Sequence, residues 1–277
     1  MKQEHQNDQS MIVDIYDEDG DDGHEKYYAS LSNLNRCSGS AMFTFGDNIV
    51  QCSVFGPNPV TWNQNVLKKN YLHILLYPLG QIRNFFKGMC LFSNYIIVRI
   101  LMKNWKFSTT DKSLSYYEYF FKRTLMPLIY NALLPNSRTY LVLNEIEKGS
   151  SFLSTSLNAM MLALLDSGHP LNHCIACSGF VLDRRDQQLY SEIDFIQKCT
   201  KSIRLLEPCN LTLNNCESIK ATFLISNKNT KTAETISILA EGKFSLQNVF
   251  DARKKSTKTS AKFLNFTREK IGQSFIR

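Results

Sequence analysis

Residues 151–167 constrain the fold more than any other stretch. Leu153, Leu157, Met161, Leu164 and Leu165 recur at helical spacing and form an apolar stripe. Ala159 and Ala163 are small enough to let a neighbouring element approach closely. Gly168 is placed to cap the helix C-terminus, and Pro170 blocks its continuation. Such a stripe has to be covered by other elements.

Strand-like segments are available to cover it. Ser40–Phe45, the turn formers Gly46-Asp47-Asn48 and Ile49–Phe55 predict a β-hairpin over residues 40–55. Gly56-Pro57 is expected to stop the second strand, because proline has no N–H to donate to a ladder. Further strands are predicted at Tyr71–Tyr77, Tyr95–Leu101, Tyr140–Ile146, Cys174–Leu182 and Gln188–Ile193. Two more fall at residues 217–227 and 233–240, with a polar turn at Asn227–Thr230. Ser113–Leu134 reads as a helix kinked or broken near Pro127.

Phe244–Phe275 reads as a long closing helix. Leu246, Val249, Phe250, Phe263 and Leu264 mark its apolar face. Arg253, Lys254, Lys255, Lys258, Lys262, Arg268 and Lys270 mark a basic one, either solvated or set against nucleic acid. The order of strands and helices predicts an α+β domain with mixed or antiparallel sheets.

Charge divides the chain. Residues 1–28 hold nine acids and two bases, a net −7, so the remainder carries +14 of the overall +7. A polar acidic start predicts a disordered tail over residues 1–28 and argues against a secretory leader. A body this basic suits a polyanionic partner, most simply nucleic acid. The 43% hydrophobic content supplies a core without disulfides, and the uncharged runs Tyr71–Ile82 and Gly88–Val98 are too short to span a bilayer.

Of eight cysteines, only Cys174 and Cys177 are closely spaced. A zinc site of that type needs a second ligand pair, so these are read as packed thiols with no metal. No cofactor is expected.

Two stretches resemble the ribonuclease PH family. Cys37–Pro57 carries its first hairpin, with Ser38-Gly-Ser-Ala41, a short glycine turn and a closing Gly56-Pro57. Glu147–Leu171 carries its Asn-Ala…Leu-Ala-Leu…Asp…Gly helix, with Asn158-Ala159, Leu162–Leu164, Asp166 and Gly168 in place. Between them, Arg123-Thr-Leu-Met126 resembles an arginine-bearing helix segment of the family. The resemblance covers roughly residues 34–277, and the domain it implies is 29–277, with an insertion somewhere in about 62–94. It implies an RNase PH-like β-α-β-α domain of the ribosomal protein S5 domain 2-like type, assembled side by side into six-membered rings.

Active members of that family degrade RNA from its 3′ end with phosphate as the attacking group. That chemistry needs acids to handle a proton or a metal ion, and arginines to hold phosphate. The family's acids follow the second motif by about twenty residues. Here the matching stretch is Leu189–Ile196, and its acid positions fall on Tyr190 and Ile196. Glu192 and Asp194 stand on a displaced face of the strand predicted there. Of the two arginines only Arg123 remains; Met126 occupies the other position. The resemblance therefore implies a chain without catalytic residues.

Inactive members of the family are ring subunits of the RNA exosome. The implied partners are the other RNase PH-like subunits of a hetero-hexameric ring, S1/KH cap subunits, a hydrolytic nuclease and RNA, and the implied places are nucleus, nucleolus and cytoplasm. No membrane partner is expected. Lys103, Lys106, Lys122 and Arg123 lie where active relatives place phosphate-side groups, and are the candidate RNA-binding residues. Two alternatives stay open: an active phosphate-dependent 3′-to-5′ exoribonuclease, and a free-standing RNA-binding module.

Overall fold

A computed structural model describes residues 27–59, 71–77, 111–130, 133, 137–147, 151–202, 218–230 and 233–275. The first strands are β1 (Tyr27–Leu31), β2 (Gly39–Phe45), β3 (Asn48–Pro59) and β4 (Tyr71–Tyr77). Helix α1 (Asp111–Leu125) precedes β5 (Ser137–Glu147) and helix α2 (Phe152–Asp166). Then come β6 (Ile175–Asp183), β7 (Leu189–Ser191), helix α3 (Glu192–Ser202), β8 (Ile219–Lys228), β9 (Thr235–Gly242) and helix α4 (Leu246–Phe275).

Two sheets form. The five-stranded one runs β1-β2-β3-β5-β4, antiparallel except where β4 pairs parallel to β5. The four-stranded one runs β7-β6-β8-β9, antiparallel throughout. Helix α2 packs against β2 and β3 of the first sheet and β6 of the second. Every residue from Ser154 to Leu164 is buried. The expected one-sided stripe is thus a helix covered all round, as its high apolar content requires.

The α2 C-terminus is tied to both the first hairpin and β5. Asp166 Oδ1 accepts from Ser32 Oγ at 2.7 Å and Oδ2 from the Ser40 N–H at 2.8 Å. Gly39 fits there because a Cβ on it would meet the Ser167 backbone N at 2.3 Å. Gly168 takes φ +68° and ends the helix. His169 then sits buried, with Nε2 2.9 Å from Thr139 Oγ1 on β5 and Nδ1 3.0 Å from Ser167 Oγ.

Helix α4 closes the core through aromatic contacts. Phe263 meets the Tyr27 and Phe43 rings edge-on, at centroid distances of 6.0 and 5.5 Å. Phe266 lies 5.7 Å from Tyr27. Tyr27 itself stacks on Phe45 at 5.1 Å.

Several expectations need correction. Tyr27 and Tyr28 belong to β1 and not to the acidic tail, because the Tyr27 ring completes that cluster. The hairpin turn is Gly46-Asp47 alone, since Asn48 already pairs with Phe45. Strand β3 continues past Gly56-Pro57 to Pro59; a register irregularity between Phe55 and Asn58 lets the ladder skip the proline. Helix α1 ends at Leu125, and a 3₁₀ turn at Met126–Leu128 takes up Pro127. Only Leu189–Ser191 of the expected strand Gln188–Ile193 is extended. On α4, Leu246 and Phe250 are exposed, and Lys270 is buried beside the Phe266 ring. The expected strand Tyr95–Leu101 and most of the insertion lie outside the described residues, as do residues 1–26 of the tail.

The aromatic cluster predicts that Phe263→Ala destabilises the fold by about 3–5 kcal/mol, since the ring leaves a cavity its neighbours cannot close. Urea unfolding of the two proteins, followed by far-ultraviolet circular dichroism, measures the difference.

Candidate functional site

The site suggested by the resemblance lies where β7 gives way to α3. Ser191 and Asp194 form the boundary. Ser191 Oγ donates to Asp194 Oδ2 at 2.6 Å, and the Asp194 N–H donates back to Ser191 Oγ at 3.2 Å. Ser191 is thus the N-cap of the helix, and the Asp194 carboxylate holds its hydroxyl in place. Asp194 also places negative charge in the helix's first turn, where the backbone N–H groups favour it. The spacing Ser191-Glu-Ile-Asp194 is a readable helix start, and it ends the strand.

Consequently the two expected acid positions sit on different elements. Tyr190 is on β7, paired with Val181, and Ile196 is on α3. The Tyr190 hydroxyl lies 3.0 Å from Gln188 Oε1 and 3.4 Å from Asp186 Oδ2. Lys198 Nζ donates to that hydroxyl at 3.1 Å and lies 4.3 Å from the ring centroid. The same ammonium bridges to Asp183 Oδ2 at 3.1 Å and to Asp186. Its bond to Lys198 holds the Asp186 carboxyl below its usual range, and the ammonium is held above its own. Asp183 is buried and also caps the following turn, accepting from the Arg185 N–H at 2.9 Å.

Glu192 turns inward. It is buried, and its carboxyl rests on Gly179 of β6, where a Cβ would stand 2.1 Å from its Cδ. Its Oε2 lies 3.1 Å from Ser154 Oγ, which also lies 2.9 Å from Ser151 O. Ser154 has one proton for these two acceptors. Burial raises Glu192 from the usual 4.5 to about 8, opposed by the Ser154 bond. The neutral carboxyl then supplies the missing proton, so both contacts are satisfied. Ser151, at the start of α2, is buried too and accepts from Asn48 Nδ2 at 2.9 Å.

The four acids around this locus therefore have fixed partners. Asp183 and Asp186 hold Lys198, Asp194 holds the capping hydroxyl of Ser191, and Glu192 is sealed beneath α2. No group of three or more potential metal ligands occurs among the described residues. Cys177 is buried in β6, and burial pushes its thiol up to about 12.

The candidate RNA-binding residues are only partly placed. Lys103 and Lys106 lie outside the described residues. Lys122 and Arg123 are exposed in the last turn of α1, with Arg123 Nη1 donating to Tyr119 Oη at 2.9 Å. Next to them, Thr124 Oγ1 donates to Ser237 Oγ of β9 at 3.1 Å. Strands β9 and β7 are opposite edges of the four-stranded sheet, about 14 Å apart at the usual strand spacing. The structure thus puts Lys122 and Arg123 at one edge and the Tyr190–Lys198 group at the other.

This hairpin, buried helix and two-sheet arrangement is that of an RNase PH-type domain, and comparison with known proteins agrees. The 3′ exoribonuclease family, domain 1 (RNase PH), matches residues 26–170, and the chain belongs to that family. Within it, Cys52-Ser-Val-Phe-Gly-Pro57, Ile96-Ile-Val-Arg99 followed by Ser108-Thr-Thr110, the short lead and the long closing helix resemble ribosomal RNA-processing protein 46. The chain is 28% identical over 147 residues to the rice exosome complex exonuclease RRP46 homolog, covering 53% of this chain and 50% of that protein. It is 24% identical over 160 residues to the Arabidopsis thaliana homolog, covering 55% and 56%. The match thus spans about half the length of these curated relatives. The crystal structure of rice Rrp46 shares the fold, with a TM-score of 0.63 at 20% identity over 87% of this chain and 92% of that one.

The Glu192 environment fixes the sign of a pH effect. The folded state keeps a proton that the unfolded chain releases above 4.5, so this stabilisation is complete below 4.5 and is lost as pH rises towards 8. The slope approaches about 1.4 kcal/mol per pH unit in that window. Urea midpoints measured at a series of pH values should fall across it for the native chain. Glu192→Gln, which keeps a proton donor at every pH, should flatten the decline.

Proposed function

We propose that this chain is a non-catalytic subunit of an RNA exosome ring, helping to form the channel that leads RNA to a separate 3′-to-5′ nuclease. One observation supports the reading: beside Tyr190 and Ile196, which the resemblance sets at the acid positions of active relatives, the nearby acids are committed to Lys198, to the capping hydroxyl of Ser191 or to the buried Ser154. A phosphorolytic site needs an accessible carboxylate to accept or relay a proton, and Glu192 is buried, with burial favouring its protonated form.

The names of the relatives support membership in an exosome. So do surfaces that an isolated domain has no reason to leave open. Tyr116 and Tyr119 on α1, and Leu246 and Phe250 on α4, are exposed, and β9 is a sheet edge with Ile238 outward. Apolar surface and a free ladder edge are covered when domains stand side by side. The partners in this reading are the other RNase PH-like subunits, S1/KH cap subunits and the hydrolytic nuclease. Its places of action are the nucleus, with the nucleolus, and the cytoplasm, where the RNA handled includes maturing ribosomal RNA.

Binding of RNA falls to Lys103, Lys106, Lys122 and Arg123. A channel wall needs cations for phosphates and little base reading.

Two measurements test this. Purified chain incubated with single-stranded RNA and inorganic phosphate should release no nucleoside diphosphate; release above a phosphate-free control contradicts the reading. Lys122→Ala with Arg123→Ala should weaken RNA binding by the assembled ring similarly for all sequences. It should also reduce the salt slope by about one unit for each phosphate no longer neutralised.

A further inference from the structure

The exposed face of α4 carries cations that nothing described neutralises. Lys254, Lys258, Ala261, Asn265 and Arg268 follow one another at three- and four-residue spacing and share one side of the helix. Lys254, Lys258 and Arg268 are exposed, and among the described residues none has a carboxylate partner. Arg268 donates to two neutral acceptors, Asn229 Oδ1 and Asn265 Oδ1, at 3.1 Å each.

Beside this face lies a groove of about 380 Å³ between α4 and the β8–β9 turn. Lys228, Asn229, Thr230, Ser260, Asn265 and Arg268 contribute its polar lining. Its chemistry is that of an anion receptor: two cations, amide donors and hydroxyls. Lys228 is partly engaged by Glu234 at 3.0 Å, which leaves Arg268 as the dominant charge.

The chain itself carries a matching polyanion. Seven carboxylates lie between Asp14 and Glu25, with no lysine or arginine among them. The segment is tethered beside its receptor. Tyr27, two residues after Glu25, packs on Phe263 and Phe266, in the same turns of α4 that carry Asn265 and Arg268. A helix with its side chains is about 10–12 Å across, so a few residues suffice to pass round it. Lys254 to Arg268 spans about 21 Å of helix, and twelve extended residues reach about 40 Å.

We propose that residues 14–25 dock on the basic face of α4, with carboxylates meeting Arg268 in the groove and Lys258 and Lys254 beyond it. The segment is an internal polyanion that occupies these cations and shields them from RNA phosphates. Being electrostatic and exposed, the docking weakens as salt rises.

Zero-length carbodiimide cross-linking of the full chain, followed by peptide mass spectrometry, tests the docking. The reagent joins a carboxylate to an amine only where they touch. Links from Asp14–Glu25 to Lys254 or Lys258 are expected at low salt and should vanish at about 1 M salt, where screening acts over about 3 Å. In a mixture of isotope-labelled and unlabelled chains, the links should join peptides of one label only. Absence of links to these two lysines, or links only between differently labelled chains, overturns the proposal. As a second readout, a variant with all seven carboxylates converted to Asn or Gln should bind a polyuridine 20-mer about tenfold more tightly at low salt. Lys254→Glu with Lys258→Glu should remove that gain. Equal affinity of the native and neutralised chains counts against shielding. These outcomes do not depend on whether the chain is part of a ring.

Discussion

Everything in this fold leans on the complete burial of α2. From Ser154 to Leu164 the helix lies between two sheets with no face left for water; Ser156 Oγ on that stretch has no partner among the described residues, but polar groups in such a place are pressed to find partners in the protein. Asn158 does this by clasping the Cys177 backbone of β6, donating to its carbonyl at 3.0 Å and accepting from its N–H at 2.9 Å. Asp166 does it by clasping the β1–β2 segment. Two side chains on one helix thereby join both sheets. Each is a hydrogen-bonding group whose removal strands its partners, at about 1–3 kcal/mol per unsatisfied group.

The same constraint decides the fate of the acids. Near the N-terminus of α2 the pocket around Ser151, Ser154 and Gly179 is closed, and Glu192 fits it only as a neutral donor. On the outside, Lys198 gathers Asp183, Asp186 and Tyr190 into one group. An ammonium there draws the carboxylates together and leaves none free to relay a proton. The locus has kept a polar, charged character while its groups hold α3 against β6 and β7.

Much of this is legible in the sequence. Tyr71–Tyr77 emerges with its observed bounds, and α2 and the closing helix to within two residues, because long apolar periodicity and Gly/Pro punctuation report directly on local structure. Errors arise where local signals compete. At Ser191 the strand pattern obscures a serine N-cap, and with it α3. At Tyr27 the acidic run before it obscures a strand whose worth comes from Phe45, Phe263 and Phe266, distant in the chain. On α4 periodicity alone puts Leu246 and Phe250 inside and Lys270 outside, while packing on the sheet does the reverse. Tyr190 and Ile196 are readable in the sequence; what Glu192 and Lys198 do beside them is not, since both act through tertiary contacts.

The central claim is that this domain works as one member of a ring. Purification of the tagged chain from its own cells at moderate salt, with mass spectrometry of the eluate, tests it most directly. The account predicts five other RNase PH-like chains in near-equal amount, together with a hydrolytic nuclease. Recovery of the chain alone, or as a homo-oligomer, would contradict it.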